Sequence, residues 1–357
     1  MPTSITAIPL NTINSFTLAQ TIATQQSHSI FPRLVELTST DLLIDSTLDL
    51  ALPDQSNLNK QTNNTIIDTD NGLELIVFDQ LTIDLLVNLM NDCTLVIQAI
   101  NAINHRNNEI SYRFKVSCQN FINARETLAQ FALTHNIEAA LINNAPKLSV
   151  PGLLVMDMDS TTIEIECIDE IAALAGVGEE VAAVTELAMQ GKLDFAQSLH
   201  QRVGTLKGAP ETILAQVAEN IPLMPGLETL IKELKLHNWR IAIASGGFTY
   251  FSEHLQKLLN LDATFANVLE IEENKLTGKV IGDVVDAKAK AYSLELLSEK
   301  YDIAPQQTVA MGDGANDLLM MSAAYLGVAF HAKPIVLAQA DTSINYRGLD
   351  CLLHWLA

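Results

Sequence analysis

Three short apolar runs, each ending in small or acidic polar residues, constrain the fold of this chain more than any other feature. The runs are Leu153–Met156 before Asp157, Ile241–Ala244 before Ser245–Gly246–Gly247, and Thr308–Met311 before Gly312–Asp313–Gly314. A segment with helical spacing of apolar residues follows each run. Apolar runs that alternate with helices predict a parallel sheet covered on both faces. Because ligands of such sheets bind at the carboxyl ends of the strands, the polar residues are predicted to share one site.

The segment Asp157–Met158–Asp159–Ser160–Thr161 places two carboxylates at positions i and i+2 directly after the first run. Two such carboxylates repel each other, so holding both requires a cation or a shared proton. Mg²⁺ is a hard cation that usually binds one or two carboxylates together with a substrate phosphate. A helix N-cap or turn explains the same five residues equally well.

Three further elements are weak when each is taken alone. Gly312–Ala315 with Asn316 and Asp317 adds two carboxylates after another strand, but its composition also suits a tight turn. Ser245–Gly246–Gly247 is predicted to open a helix, so that its N–H groups and hydroxyl are suited to bind an anion. Lys290 lies in a helical segment two positions after Lys288, and a lysine at such a position is usually a solvated surface charge.

In chain order these elements read DxDST, SGG, Lys and GDGxND, and this combination resembles the haloacid dehalogenase superfamily of phosphotransferases. The resemblance implies a Rossmann-like α/β core with a doubly wound parallel sheet. It implies that Asp157 is the nucleophile that forms an aspartyl-phosphate and that Asp159 is the general acid and base. By the same match, the residues implied to bind substrate are Ser245, Gly246, Lys290 and Asn316. Those implied to bind Mg²⁺ are Asp157, Asp159, Asp313 and Asp317. Of these, Asp317 is implied either as a ligand or as a neighbour of the ligands.

Two more stretches make the chain similar to the phosphoserine phosphatases within this superfamily, over about residues 150–335. Glu166–Glu170 follows the DxDST segment, and a helical stretch contains MQGKLDF with Ser198 and Arg202. The similarity implies that Glu166 binds the amino group of O-phosphoserine and that Arg202 binds its carboxylate. Met189 and Phe195 are implied to close over the substrate, although both residue types are equally typical of a helix core. The implied reaction is Mg²⁺-dependent hydrolysis of O-phospho-L-serine to L-serine and phosphate, the last step of serine biosynthesis.

Turn-forming residues at Asn143–Pro146 and Pro151–Gly152 interrupt the pattern of apolar segments. We therefore predict a domain boundary near residue 148. Residues 1–148 are predicted to form a separate α+β domain, with a polar loop or linker at 52–72. Its strands are predicted at 95–100, 112–116 and 137–142, and a helix at 123–133. By analogy with longer phosphoserine phosphatases, this domain is ACT-like and serves regulation or dimerisation, so a homodimer is compatible with the sequence. Residues 149–357 are predicted to form the phosphatase domain, with an inserted helical cap at about 167–223.

Charge and cysteine content exclude several other classes of protein. The chain has 42 acidic and 21 basic residues and a formal charge of −21, which argues against a nucleic-acid binder and against a polybasic membrane-surface protein. It contains no run of about 18 apolar residues that would span a bilayer. Its four cysteines form no CxxC pair, which favours a reducing cytoplasm over a disulfide framework.

Three other functions are compatible with parts of the pattern. A phosphotransferase that passes the phosphoryl group to another alcohol would use the same aspartyl-phosphate. A signalling receiver also phosphorylates an Asp beside a lysine, but its domain is compact, whereas Asp157 and Asp313 are separated by a helical insertion. A non-catalytic amino-acid sensor would have no need of complete DxD and GDGxND elements.

Overall fold

The computed structural model describes residues 5–9, 33–37, 41–45, 72–78, 80–190 and 192–357. The first three segments, and residues 99 and 189, are described without their side chains. The chain forms two compact units, residues 1–145 and 146–357. The polar stretch 52–72, predicted to be a loop or linker, lies outside the described residues except for Gly72. In the described part of the chain, no helix is long and apolar enough to cross a membrane.

The described residues of the first unit form two antiparallel sheets. Its strands are β1 (Ile5–Pro9), β2 (Arg33–Leu37), β3 (Asp41–Asp45), β4 (Leu73–Phe78), β5 (Leu95–Arg106), β6 (Glu109–Cys118) and β7 (Ala139–Asn143). The first three form one sheet in the order β1–β3–β2, and the other four form a second in the order β5–β6–β4–β7. With its two helices, the second sheet has the β-α-β-β-α-β succession of ferredoxin-like folds.

Within the described residues of this unit, the helices are α1 (Ile83–Asp92) and α2 (Phe121–His135). The side chain of Thr82 caps the N-terminus of α1 and that of Asn120 caps α2, since each accepts a hydrogen bond from an N–H of the first turn. Asn136 ends α2 in the left-handed conformation, with φ of 52°. Apolar side chains from both helices pack on one face of the four-stranded sheet and form the core of the unit.

The secondary structure predicted for this region is found in the structure. Strands occupy 95–106 and 109–118, where shorter strands were predicted, and the helix predicted at 123–133 extends over 121–135. The last strand begins at Ala139, two residues later than predicted. Buried and partly exposed residues recur at regular spacing in these strands and this helix, which is why the sequence predicts them.

A seven-stranded sheet forms the centre of the second unit, in the order β11–β10–β9–β8–β12–β13–β14. Its strands are β8 (Leu153–Met156), β9 (Arg240–Phe248), β10 (Ala263–Glu272), β11 (Lys275–Ile281), β12 (Thr308–Gly312), β13 (Leu326–Phe330) and β14 (Thr342–Ile344). All neighbouring pairs are parallel except β10 and β11. The three apolar runs of the sequence are therefore three adjacent strands, and the predicted doubly wound α/β fold is confirmed.

Helices connect these strands and supply the cover of the sheet. They are α3 (Cys167–Ala175), α4 (Gly178–Met189), α5 (Phe195–Thr205), α6 (Thr212–Ala218), α7 (Leu227–Leu236), α8 (Thr249–Leu259), α9 (Ala287–Lys300), α10 (Leu318–Ala323), α11 (Pro334–Leu337) and α12 (Leu352–Trp355). Strand β8 is completely buried, as the four-residue apolar run requires. The helices α3 to α6 lie within the stretch predicted to be an inserted helical cap.

The hairpin of β10 and β11 extends the sheet and joins the helical insertion, a feature that the sequence patterns did not predict. Backbone hydrogen bonds link the two, from Gly208 N to Leu276 O at 2.8 Å and from Leu276 N to Ala209 O at 2.9 Å. Gly278 has a φ of 84° and lies against the C-terminal end of α5, where a Cβ would be 3.2 Å from the carbonyl oxygen of Gly204. The close backbone approach is what requires glycine at this position.

Candidate active site

The polar ends of β8, β9 and β12 meet at one edge of the sheet because these strands are parallel neighbours. In the register, Met156 pairs with Ile243 on one side and Met311 on the other. Asp157 N donates a hydrogen bond to Met311 O at 2.9 Å, which continues the ladder into the DxDST segment. Asp157 and Asp313 therefore follow adjacent strand ends, which is where open α/β sheets bind their ligands.

Lys290 is fully buried beside two carboxylates. Its Nζ lies 2.9 Å from Oδ1 of Asp157 and 2.7 Å from Oδ1 of Asp317. Burial alone would lower the pKa of Lys290, but the charges of Asp157 and Asp317 outweigh it, so the pKa is raised and the lysine stays cationic. Lys288, on the same helix, is exposed, so the structure brings Lys290 and not Lys288 to the carboxylates.

Three carboxylates, from Asp157, Asp313 and Asp317, place oxygen atoms within 4.8 Å of one another. Burial and the charge of Asp157 raise the pKa of Asp313, and they raise that of Asp317 to about 7. The hydroxyl of Thr161 donates to Oδ1 of Asp313 at 3.1 Å and holds that side chain in place. An oxygen-only cluster with this excess of negative charge fits a hard divalent cation.

Asp317 is also bound within the protein at both of its oxygens. Oδ1 accepts from Lys290 and Oδ2 accepts from Gly314 N at 3.0 Å. These contacts make Asp317 suited to orient the cluster as well as to contribute charge to it.

Asp159 lies apart from this cluster, and its carboxylate points to other partners. Oδ1 accepts a hydrogen bond from Cys167 N at 2.9 Å, and Oδ2 lies so close to Gly247 that a Cβ there would be 2.6 Å away. Burial, followed by the charge of Glu166, raises the pKa of Asp159 to about 7. A carboxyl group with such a pKa can both donate and accept a proton near neutral pH. A metal contact by Asp159 stays a prediction.

The Ser245–Gly246–Gly247 segment does not open a helix as predicted, because it forms the C-terminal part of β9 and helix α8 begins only at Thr249. The segment lines the same pocket. Ser245 is buried, and its Oγ accepts a hydrogen bond from Gly247 N at 2.9 Å. Asn267 holds this segment in place, because its Nδ2 donates to Gly246 O at 2.8 Å while its Oδ1 accepts from Val285 N at 2.8 Å. A Cβ on Gly246 would lie 2.5 Å from Cζ of Phe195, so only glycine leaves room for that ring.

The helical insertion supplies the opposite side of the pocket. The pocket is lined by Asp157, Asp159, Glu166, Ile168, Phe195, Leu199, Arg202, Ser245, Gly246, Gly247, Phe248, Asp313 and Asn316. Arg202 Nε is buried and, among the described residues, has no hydrogen-bond partner. A buried guanidinium N–H without a partner is costly unless a ligand supplies an acceptor. The Arg202 side chain is thus placed to bind an anionic group in the pocket.

Nearly all residues singled out in the sequence lie together at this site. Lys290 and Asp317 do not line the pocket, but Lys290 contacts both Asp317 and Asp157, and Asp157 lines it. Met189 ends α4, but its side chain is outside the described part of the chain. The sequence patterns missed Asn267, whose partner is 21 residues away, and they gave no role to Thr161 of the DxDST segment, whose partner is 152 residues away.

Comparisons with known proteins agree with this geometry. The haloacid dehalogenase-like hydrolase family model matches residues 152–324. The chain is 60% identical over 226 residues to the phosphoserine phosphatase of Haemophilus influenzae, which covers 63% of this chain and 72% of that protein. A crystal structure of a probable phosphoserine phosphatase from Vibrio cholerae is 45% identical, with a TM-score of 0.66, over 80% of this chain and 86% of that one. A structure described as a phospho-aspartyl intermediate analogue of phosphoserine phosphatase is 42% identical, with a TM-score of 0.55. The match covers 58% of this chain and 100% of that one.

The parallel sheet, with its acidic cluster and buried lysine at the strand ends, is that of a haloacid dehalogenase-like hydrolase, a class that generally uses a divalent metal. Within that class, the chain belongs to the phosphoserine phosphatase family.

Proposed function

We propose that this protein hydrolyses O-phospho-L-serine to L-serine and phosphate through an aspartyl-phosphate on Asp157, the last step of serine biosynthesis. The observation that carries the proposal is the charge pattern of one pocket. Lys290 and the acidic cluster lie behind one end, while Arg202 and Glu166 lie on the cap side. Phosphoserine carries a phosphate, a carboxylate and an ammonium group, so each of its charges has an opposite charge available.

The phosphate end of the pocket suits nucleophilic attack by Asp157. Its Oδ1 accepts hydrogen bonds from Lys290 Nζ and from Met158 N at 2.7 Å, so the carboxylate is held in one orientation at the pocket floor. Phosphoryl transfer depends on such positioning and on charge neutralisation more than on a strong base. The Ser245 hydroxyl, the Gly246 N–H and Asn316 surround the space where the phosphate oxygens would lie.

Asp159 is suited to move the two protons of the reaction. With its pKa raised to about 7, it holds a proton that it can give to the leaving serine alkoxide. Once ionised, it can accept a proton from the water that hydrolyses the aspartyl-phosphate. Its contact with Cys167 N keeps the carboxyl group between the pocket and the start of α3.

Mg²⁺ is the cofactor that we propose for the acidic cluster. Asp157 and Asp313 would hold the ion, with Asp317 as a further ligand or a support, and Asp159 is a further predicted contact. When bound, the ion would neutralise charge on the phosphate oxygens. Carboxylate-only ligands favour Mg²⁺ or another hard cation over Zn²⁺, which prefers nitrogen and sulfur.

The cap side of the pocket is proposed to recognise the amino acid part of the substrate. Arg202, with a buried Nε that lacks a partner among the described residues, would bind the carboxylate in a charge-assisted pair. Glu166 would bind the ammonium group. Phe195 packs against Gly246 and, together with Met189, would cover the substrate.

The first unit is proposed to be an ACT-like regulatory or dimerisation module, an assignment supported by its β-α-β-β-α-β succession. A homodimer would follow from the second of these roles. We also propose a cytoplasmic location, since Cys93, Cys118, Cys167 and Cys351 are all free thiols.

Phosphate release from a panel of phosphate monoesters, with Mg²⁺ or with EDTA, tests the proposal. We expect Mg²⁺-dependent release that is fastest with O-phospho-L-serine, and none from an Asp157→Asn variant. Adding small alcohols and measuring their phosphate esters separates hydrolysis from phosphotransfer. Transfer to an alcohol in preference to water, or equal use of every monoester, would contradict the proposal.

A further inference from the structure

Ser160, in the loop after the two catalytic aspartates, has a backbone conformation that serine rarely adopts. Its φ is 56°, in the left-handed region. This region is unfavourable for residues with a Cβ, and such outliers persist where the surrounding structure demands them. The loop is closed by a hydrogen bond from Ser160 N to Ile165 O at 3.3 Å.

The side chain of Ser160 makes a short contact with a residue of the proposed ammonium site. Its Oγ donates a hydrogen bond to Oε1 of Glu166 at 2.7 Å. Glu166 is the residue before α3, and its side chain lines the pocket. No ion pair within the described residues fixes the Glu166 carboxylate, so the Ser160 hydroxyl is its identified anchor.

This contact also favours the charged form of Glu166. Burial raises the pKa of Glu166, and the hydrogen bond from Ser160 acts in the opposite direction. An ammonium ligand needs an ionised and correctly oriented carboxylate. The left-handed backbone of Ser160 aims the hydroxyl at Glu166, which gives the unusual conformation a reason.

We propose that Ser160 is a positioning residue that orients Glu166 and thereby gives the pocket its preference for phosphate monoesters that carry an amino group. The proposal rests on the proposed function, in which Glu166 binds the substrate ammonium. Ser160 is not among the residues that line the pocket, so its effect is expected in recognition and not in the chemical step.

A Ser160→Gly variant isolates the hydroxyl, because glycine adopts the left-handed conformation without cost. Its kcat and KM are compared on O-phosphoserine and on 3-phosphooxypropionate, the same ester without the amino group. Losing a hydrogen bond to a charged group should raise KM for phosphoserine about tenfold, with kcat and the constants for the other ester within about twofold. Asn260→Gly, at an exposed left-handed position with φ of 54°, is the matched control and should change neither substrate's constants.

A second variant tests whether Ser160 acts through Glu166. In a Glu166→Gln background, which lacks the charge to be oriented, Ser160→Gly should cause less than a twofold further change in KM. A full additional tenfold loss in that background, or an equal loss on both esters in the single variant, would overturn the inference. If the wild-type protein itself shows no preference for the ester with an amino group, the proposed function fails and not this inference alone.

Discussion

Lys290 Nζ lies 2.9 Å from Oδ1 of Asp157, and the side chain of Lys290 is completely buried. This ion pair connects helix α9 to the end of strand β8, which is how a residue far along the chain reaches the proposed nucleophile. Lys290 Nζ also lies 2.7 Å from a second carboxylate oxygen, Oδ1 of Asp317. Buried ions of this kind are tolerated because each charge has a partner.

Replacement of Lys290 by Met should therefore damage both activity and stability. The change leaves Asp157 and Asp317 facing each other without a cation, and breaking a buried pair costs about 3–5 kcal/mol. Phosphoserine turnover should fall at least about a hundredfold, since a charge that stabilises the transition state is lost. Steady-state kinetics and urea unfolding measure the two effects.

Lys288→Met is the matched control for this prediction, because Lys288 lies on the same helix but is exposed. Its activity and stability should equal those of the wild type. Comparable losses in the two variants would show that the buried ion pair is not what matters.

The raised pKa of Asp159 predicts how the stability of the metal-free protein changes with pH. Its folded pKa is about 7, against an ordinary value of 3.8, so the folded state holds a proton that the unfolded state has released. This contribution to the free energy of unfolding is present below pH 4 and is lost as the pH rises through 7, at up to about 1.4 kcal/mol per pH unit. The Asp159→Asn variant should show a shallower decline in urea unfolding with EDTA between pH 5 and 8.

Asp317 has a pKa raised to about 7 as well, so the decline should be reduced in Asp159→Asn and not abolished. Glu164→Gln, which neutralises an exposed acid nearby, should follow the wild-type curve. An Asp159→Asn curve that coincides with the wild type would contradict the assigned pKa.

Arg202 should contribute to kcat/KM for substrates that have a carboxylate and contribute little for substrates that lack one. Arg202→Ala removes a charge-assisted pair, so kcat/KM for phosphoserine should fall about 10- to 100-fold. Phosphoethanolamine, which has the amino group but no carboxylate, should lose less than about threefold, because that pair does not form with it. His200→Ala, at an exposed position of the same helix, should leave both substrates unaffected. Equal losses on the two substrates would rule out the carboxylate contact.

The parts of the site that could be predicted are the polar residues that follow directly after an apolar run of the sequence. Asp157, Ser245 and Asp313 each come after an apolar run, and parallel strands bring their carboxyl ends together. Local sequence does not separate Lys290 from Lys288, because the choice depends on which face of the helix is buried. Residues two apart lie about 200° apart around a helix, so only one of them can face the site.

The β10–β11 hairpin could not be predicted because its turn lacks the usual residues. Glu273 and Asn274 connect the strands with φ of 48° and 61°, a pair of left-handed residues for which Asn-Gly or Asp-Gly is the common sequence. Asn267 and the role of Thr161 were missed for a different reason. Each role depends on a hydrogen bond to a residue that the fold brings near, so no local pattern predicts it.

The contact between Gly246 and Phe195 predicts that a single methyl group will disturb the cap side of the pocket. In Gly246→Ala the new Cβ would lie 2.5 Å from Cζ of Phe195, so the ring has to move away. Because the tip of a side chain yields more easily than backbone, KM for phosphoserine should rise about three- to tenfold with a loss of stability below about 1 kcal/mol.

Gly204→Ala is the control, since its Cβ would meet nothing within 4 Å. It should leave kinetics unchanged and, as a helix residue, add about 0.5–1 kcal/mol of stability. In a Phe195→Ala background the Gly246→Ala change should have little further effect on KM, and an undiminished effect there would show that the methyl group acts on something other than the ring.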